Sequence, residues 1–272
     1  MVSEYVIKHG EVISQDLFSQ ISKRYHTITK AVNKEFWNST SDVSHSLYVG
    51  SYGRGTAISV SDIDMLVELP ADDYNRFNTM KGNGQSRLLQ AVKTAILNTY
   101  PRSNIRADGQ VVVVDFSDGM KFEVLPAFKS SWDSSFSYPD TNMGGNWRST
   151  NPKAEQEAMR QKNKDSNGLF YDTCKHIRRV KNEYFSSYTL SGIVVDSFVY
   201  YAMGSWRWST PESPSTTSNW GDYERVLLDY YNRNSYNGYF ALPLYAPGSG
   251  QAIDTTPSMK CLGKVLSHMA AE

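Results

Sequence analysis

The apolar positions of this chain change period along its length. Ile13, Leu17, Ile21, Ile28, Val32 and Phe36 recur near every 3.6 residues, which predicts an amphipathic helix over 11–37. Leu47 to Val49 predict a short strand ending in a Gly50-Ser51 turn, with a helix to follow. Ile63-Asp64-Met65-Leu66-Val67-Glu68-Leu69 predicts a strand, with Ser61 just before it. Residues 78–86 are polar and glycine-rich and predict a loop. Leu88, Leu89, Val92, Ile96 and Leu97 mark a second amphipathic helix, stopped by Pro101. Val111 to Phe116 and Met120 to Leu125, joined by Asp118-Gly119, predict a hairpin that Pro126 ends.

Beyond it the pattern is lost. Residues 129–150 are rich in Ser, Gly, Asn and Trp without a period, which predicts a long loop, disordered or forming the wall of a site. Helical spacing resumes near Pro152, a residue suited to a first helical position. Leu169, Tyr171, Cys174, Ile177 and Val180 mark another helix, and a third runs from about Leu190 to Met203. A Ser/Thr/Pro loop over 209–219 precedes two final helices, near 222–232 and 258–270. The expectation is an α+β lobe over 1–150 and a helical lobe over 151–272, with no internal repeat.

Composition narrows the function classes. With 272 residues, 40% of them hydrophobic, the chain has material for a real core in one large domain or two lobes. No apolar run approaches the roughly 18 residues of a membrane span, and Met1-Val2-Ser3-Glu4-Tyr5 lacks the features of a signal peptide. Two distant cysteines, Cys174 and Cys261, give neither a disulfide framework nor a cysteine-rich zinc site, so a cytoplasmic location is expected. The 28 basic and 28 acidic residues cancel, and the densest basic cluster is Lys175, Arg178, Arg179 and Lys181. Long nucleic acids are held by basic faces that release counterions, so nucleotides fit better than a duplex. The 18 tyrosines supply faces for base stacking.

The chemistry concentrates in Gly50-Ser51-Tyr52-Gly53-Arg54-Gly55-Thr56, followed closely by Asp62-Ile63-Asp64. On a strand, Asp62 and Asp64 share one face while Ile63 and Met65 share the other. Adjacent carboxylates repel, and a divalent cation relieves the repulsion. The glycine-rich turn offers N–H groups and the Ser51 hydroxyl to phosphate. Together these suggest chemistry on a nucleoside triphosphate. Two-metal phosphoryl transfer usually uses a third acid from a neighbouring strand. The hairpin offers Asp115 and Glu123, and periodicity does not choose between them.

An Asp-x-Asp alone is a common and weak pattern. The joined pattern resembles the signature of the polymerase-beta-like nucleotidyltransferases. Lys121-Phe122-Glu123-Val124-Leu125-Pro126-Ala127 is similar to the segment of cyclic-oligonucleotide synthases in which an acid precedes two apolar residues and a proline. These are the bacterial CD-NTases, relatives of metazoan cyclic GMP–AMP synthase. Their acid is usually Asp, so Glu123 departs from the pattern; the resemblance favours Glu123 and keeps Asp115 as the alternative. Gly84-Gln85, Gly109-Gln110 and Trp147 to Pro152 also resemble bacterial members. Arg178-Arg179-Val180-Lys181 resembles a helix whose lysine binds the donor triphosphate. Phe185-Ser186-Ser187-Tyr188 is similar to a run in the animal enzyme whose second serine contacts phosphate and whose tyrosine stacks on a base. The likeness covers roughly 50–205.

The resemblance implies a mixed-sheet nucleotidyltransferase lobe with a long bracing N-terminal helix, a helical C-terminal lobe, and an active site in the cleft between. It implies that Gly50, Ser51, Lys181, Ser187 and Tyr188 bind nucleotide. Asp62, Asp64 and Glu123 would hold two magnesium ions, with manganese as a substitute. The implied activity is template-independent synthesis of a cyclic di- or trinucleotide second messenger from ATP, GTP, UTP or CTP, in bacterial anti-phage signalling. No DNA activator and no membrane are expected, and a regulatory protein partner is. Two other readings stay open: a nucleotidyltransferase modifying tRNA, a protein or an antibiotic, and a catalytically silent nucleotide sensor.

Overall fold

The alternating runs of the first half build a mixed sheet, seven-stranded among the described residues. The computed structural model describes residues 3–9, 13–58, 62–211 and 219–271. They divide into two units: Ile13–Gly53 with Ser59–Pro152, and Met1–Val12 with Arg54–Ile58 and Lys153–Glu272. Ser61 lies outside the described residues, as does most of the expected 209–219 loop.

In the sheet unit, helix α1 (Gln15–Phe36) starts at Ser14, whose side chain accepts from the Leu17 N–H. Strands β1 (Ser46–Tyr48), β2 (Asp62–Glu68), β3 (Asn104–Asp108), β4 (Val111–Asp115) and β5 (Lys121–Lys129) lie in the order β1-β2-β5-β4-β3. The β2–β5 pair is parallel and the other pairs are antiparallel. Ile21, Ile28 and Val32 of α1 pack with Leu88, Leu89, Val92 and Ile96 of α4 (Gly84–Leu97) on one face of the sheet. That face presents Ile63, Met65, Phe122 and Val124, all fully buried. On the other face a smaller cluster of Leu66, Ala127 and Phe136 forms at one end, leaving the start of β2 and β5 uncovered by it.

Several expected boundaries moved. The helix expected after Gly50-Ser51 is a single turn, α2 (Gly50–Gly53), that contains both residues. Part of the 78–86 loop is helical, since α3 (Ala71–Asn78) and α4 enter it from both sides. Pro126 does not end the hairpin strand: β5 runs on to Lys129. Pairing with β4 stops at Val124 and pairing with the next strand begins at Phe128, so Pro126 lies where neither antiparallel neighbour needs its missing N–H. The aperiodic 129–150 stretch holds a hairpin, β6 (Phe136–Asp140) and β7 (Asn146–Thr150), and β6 continues the sheet from β5.

The helical unit contains α5 (Pro152–Asp165), α6 (Leu169–Tyr184), α7 (Gly192–Ala202), α8 (Asp222–Ser235) and α9 (Met259–Met269). Their apolar faces meet in a core that includes Phe170, Ile177, Phe198, Leu227, Leu262 and Val265. Within it, Asp196 is fully buried. The Arg54 Nε donates to it at 2.8 Å, Thr56 Oγ1 at 2.9 Å, and an Arg178 nitrogen lies 2.7 Å away. Burial pushes the Asp196 carboxyl up, but Arg178 and Arg54 outweigh it and hold the group below its ordinary value. Cys174 and Cys261 are free and buried. Among the described residues no helix is long and apolar enough to cross a membrane.

Candidate functional site

The parallel register of β2 and β5 sets Asp62 opposite Lys121 and Asp64 opposite Glu123. Alternation puts all four side chains on one face of the sheet, because their neighbours Ile63, Met65, Phe122 and Val124 fill the core on the other. Asp62 is exposed, and Asp64, Lys121 and Glu123 are half-buried. Like charges directly opposite on paired strands cost on the order of 0.2–1 kcal/mol. Lys121 offsets this: its Nζ lies 2.8 Å from Glu123 Oε1 and 3.2 Å from Asp62 Oδ1. The hydrogen bond to Glu123, helped by that to Asp62, raises the ammonium above the usual lysine value.

Gly50 completes this edge. Its φ is +60°, and a Cβ there would lie 1.8 Å from Asp64 Oδ2. The Val49 N–H donates to the Asp64 carbonyl at 2.9 Å, and the Gly53 N–H closes the turn on Val49 at 2.9 Å. The backbone at Gly50 therefore sits against the Asp64 carboxylate, with Ser51 next to it. The rest of the glycine-rich motif does something else. Arg54 and Thr56 belong to the helical unit, where they hold Asp196.

Asp115 ends β4, opposite Lys121 on one side and Asn104 on the other. Its carboxylate accepts from Asn104 Nδ2 at 3.0 Å and from the Arg106 guanidinium, both on β3. The β5 strand separates it from β2, and two strand spacings amount to about 10 Å. Glu123 is thus the acid adjacent to Asp64, and Asp115, on β4, is engaged by the edge strand β3.

In the helical unit, Lys181 lies in the last turn of α6 and its Nζ donates to the Ser186 carbonyl at 3.3 Å. Ser187 is exposed and Tyr188 half-buried. Lys260 and Lys264 each place Nζ 5.4 Å from the centroid of the Tyr188 ring. Those two lysines were not anticipated. Their four-residue spacing on α9, opposite Cys261, Leu262 and Val265, is the signal that marks them as one exposed face. A separate cavity of about 660 Å³ in this unit is lined by Trp206, Trp208, Trp220 and Tyr223 among others, and by none of the expected site residues.

The donor set suits a hard divalent ion: three carboxylates on two paired strands offer oxygen ligands, and a cationic group already sits between two of them. Among the described residues no three acidic, histidine or cysteine side chains converge on one point, and Lys121 holds Asp62 and Glu123.

The profile of the SMODS family, the Second Messenger Oligonucleotide or Dinucleotide Synthetase domain, matches residues 10–163, more than half of the chain. The chain belongs to the SMODS family. No curated protein sequence matches significantly. Solved structures share the fold at low identity. The Elizabethkingia meningoseptica CdnE cyclic dinucleotide synthase, solved with GTP and Apcpp, is 12% identical with a TM-score of 0.63, covering 95% of this chain and 91% of that one. The Bradyrhizobium diazoefficiens CD-NTase CdnG, solved with GTP, is 11% identical with a TM-score of 0.66, covering 95% and 85%. CdnC from Escherichia coli MS115-1, in complex with HORMA-deltaN, is 11% identical with a TM-score of 0.61, covering 93% and 84%. This SMODS chain shares the α+β fold of those CD-NTase structures, and its family is that of second-messenger oligonucleotide or dinucleotide synthetases.

Proposed function

We propose that this SMODS enzyme joins nucleoside triphosphates, without a template or a nucleic-acid activator, into a cyclic di- or trinucleotide second messenger. The observation that carries the reading is the register that puts Asp64 beside Glu123 with Asp62 on the same face. In the sheet unit, Asp62, Asp64 and Glu123 are the ligands for two magnesium ions, which manganese can replace, and Asp115 remains with Arg106. Such ions stabilise charge on the entering and leaving oxygens of an in-line displacement. Gly50 and Ser51 present an N–H and a hydroxyl to the donor triphosphate. In the helical unit, Lys181 and Ser187 serve phosphate and Tyr188 stacks on a base.

A ribose hydroxyl of one nucleotide attacks the α-phosphorus of another. The bond to pyrophosphate breaks, and the hydroxyl proton passes to the Glu123 carboxylate. A second round of the same transfer closes the ring. The reading takes in a regulatory protein partner, as one neighbour was solved with a HORMA protein, and a role in anti-phage signalling.

Purified protein incubated with four labelled NTPs and magnesium should give a phosphatase-resistant product, and nuclease digestion would map its linkages. Asp62→Asn with Asp64→Asn should abolish it while leaving the circular dichroism spectrum intact. Phosphatase-sensitive linear chains, transfer only onto added tRNA, protein or drug, or a bound and unconverted nucleotide would each overturn the reading.

A further inference from the structure

Lys121 forms ion pairs with two of the proposed metal ligands, Asp62 and Glu123, and its placement is fixed by the backbone. It stands opposite Asp62 in the β2–β5 register and two residues before Glu123, so all three project from one face. Its side chain is 27% exposed, against 58% for Asp62, so its stem is covered while the ammonium reaches the acids. The other acids of this hairpin have arginines of their own: Asp118 pairs with Arg24 at 2.7 Å, and Asp115 with Arg106.

We propose that Lys121 is a displaceable internal counter-cation, and that a divalent ion loads this site by exchanging with its ammonium. The inference rests on Asp62, Asp64 and Glu123 being the metal ligands. The three carboxylates and one ammonium on this face sum to a formal charge of two negatives, which attracts a divalent ion. A lysine suits the exchange. It is a point charge on a flexible stem, whereas an arginine fork would lock both carboxylates. Ion pairs this close to solvent are weak enough to open.

Competition lowers apparent metal affinity by the fraction of time the acids are free. If the ammonium holds them nine-tenths of the time, free metal binds about tenfold more weakly. An ion that arrives on a nucleoside triphosphate brings phosphate ligands with it and overcomes the competition more easily. Lys121 would thus make metal loading depend on nucleotide.

Manganese binding followed by electron paramagnetic resonance tests this, without nucleotide, on the parent protein, Lys121→Met, Lys121→Arg and the Asp62→Asn/Asp64→Asn double variant. Lys121→Met should bind about tenfold tighter, and Lys121→Arg no tighter than the parent. Equal or weaker binding by Lys121→Met overturns the proposal. A double variant that binds as well as the parent, or no binding by any of the proteins, removes the underlying assignment of the ligands as well. Should Lys121→Met fail to fold, NMR of lysine-labelled parent protein decides. The Lys121 ammonium signal should move to the free-lysine position as magnesium is added, and a signal unmoved at saturation refutes exchange.

Discussion

A Cβ added to Gly50 would lie 1.8 Å from Asp64 Oδ2, well inside any real contact. Gly50 is also at φ +60°, where an L-residue costs about 1–2 kcal/mol. The glycine therefore sets how close the backbone before Ser51 comes to the proposed ligand. Gly50→Ala should push Asp64 aside. Displacements near 1 Å in an active site cost about 100-fold in rate. We expect pyrophosphate release to fall by at least about that factor, with a melting temperature lowered by about 2–4 °C for each kcal/mol of strain. Parent-like activity would mean that the position of Asp64 does not matter to the reaction.

Glu123 and Asp115 separate by their partners. Glu123 sits beside Asp64, and Asp115 is occupied by Asn104 and Arg106 on the outer strand. Glu123→Gln should lower the rate by about 100-fold or more, the scale of a lost electrostatic group in an active site. Asp115→Asn removes a partly exposed ion pair, worth about 0–1 kcal/mol, and should leave the rate near the parent's. Steady-state assays of both variants side by side check the ranking, and a reversed order would move the third ligand to β4.

The legibility of this fold in its sequence varied with the strength of local periodicity. The long helix α1 and the carboxylate strand β2 were readable because alternating or 3.6-residue patterns leave one face apolar. The choice between Asp115 and Glu123 was not. Both face the same side of the sheet, and only strand order and the Arg106 contact distinguish them. The β6–β7 hairpin was hidden because Phe136 is its one large, fully buried side chain; Tyr138 and Trp147 are half-buried, and the rest are Ser, Pro, Asp, Asn, Arg and Thr. Lys121 stood in plain view within the family-like segment. Its meaning comes from parallel pairing with Asp62, a long-range register that local pattern does not encode.

The lysines around Tyr188 yield a binding prediction. Lys260 and Lys264 approach the same ring, Lys181 lies near it in sequence, and none of the three forms an ion pair with a carboxylate among the described residues. If this patch serves the triphosphate, its charge is met equally in ground and transition states, so it contributes to binding rather than to the chemical step. Lys181→Ala and Lys260→Ala/Lys264→Ala should raise KM for NTP several-fold, about 3–10-fold, with kcat nearly unchanged. The KM increase should shrink at high salt, since exposed charges are screened. An unchanged KM would return these lysines to an ordinary solvated helix face.

Acid should loosen the N-terminal strap of the helical unit. The Val6 N–H donates to Glu224 at 2.8 Å and the His9 N–H to Asp172 at 3.0 Å, while His9 stacks on His176 with centroids 5.5 Å apart. Burial lowers the His9 pKa to about 4, and the charges of Arg179 and His176 push the same way, against Asp172. His176 is lowered as well, chiefly by burial. A histidine whose folded pKa lies below its unfolded value near 6.5 binds protons more readily when unfolded. Stability is therefore unaffected above about pH 6.5 and falls as the pH drops toward 4, by about 1.4 kcal/mol per pH unit for each extra proton taken up by the unfolded state. Hydrogen exchange of residues 3–9 should accelerate across that window. Trp208, whose Nε1 donates to Asp172 at 2.7 Å, supplies a fluorescence readout of the same event. Replacing His9 with Phe should flatten the pH dependence while keeping the ring stacked on His176. A loss between pH 6.5 and 4 that persists in His9→Phe would assign it to other groups, with the paired Asp196 losing its contribution only as the pH falls through its lowered carboxyl pKa.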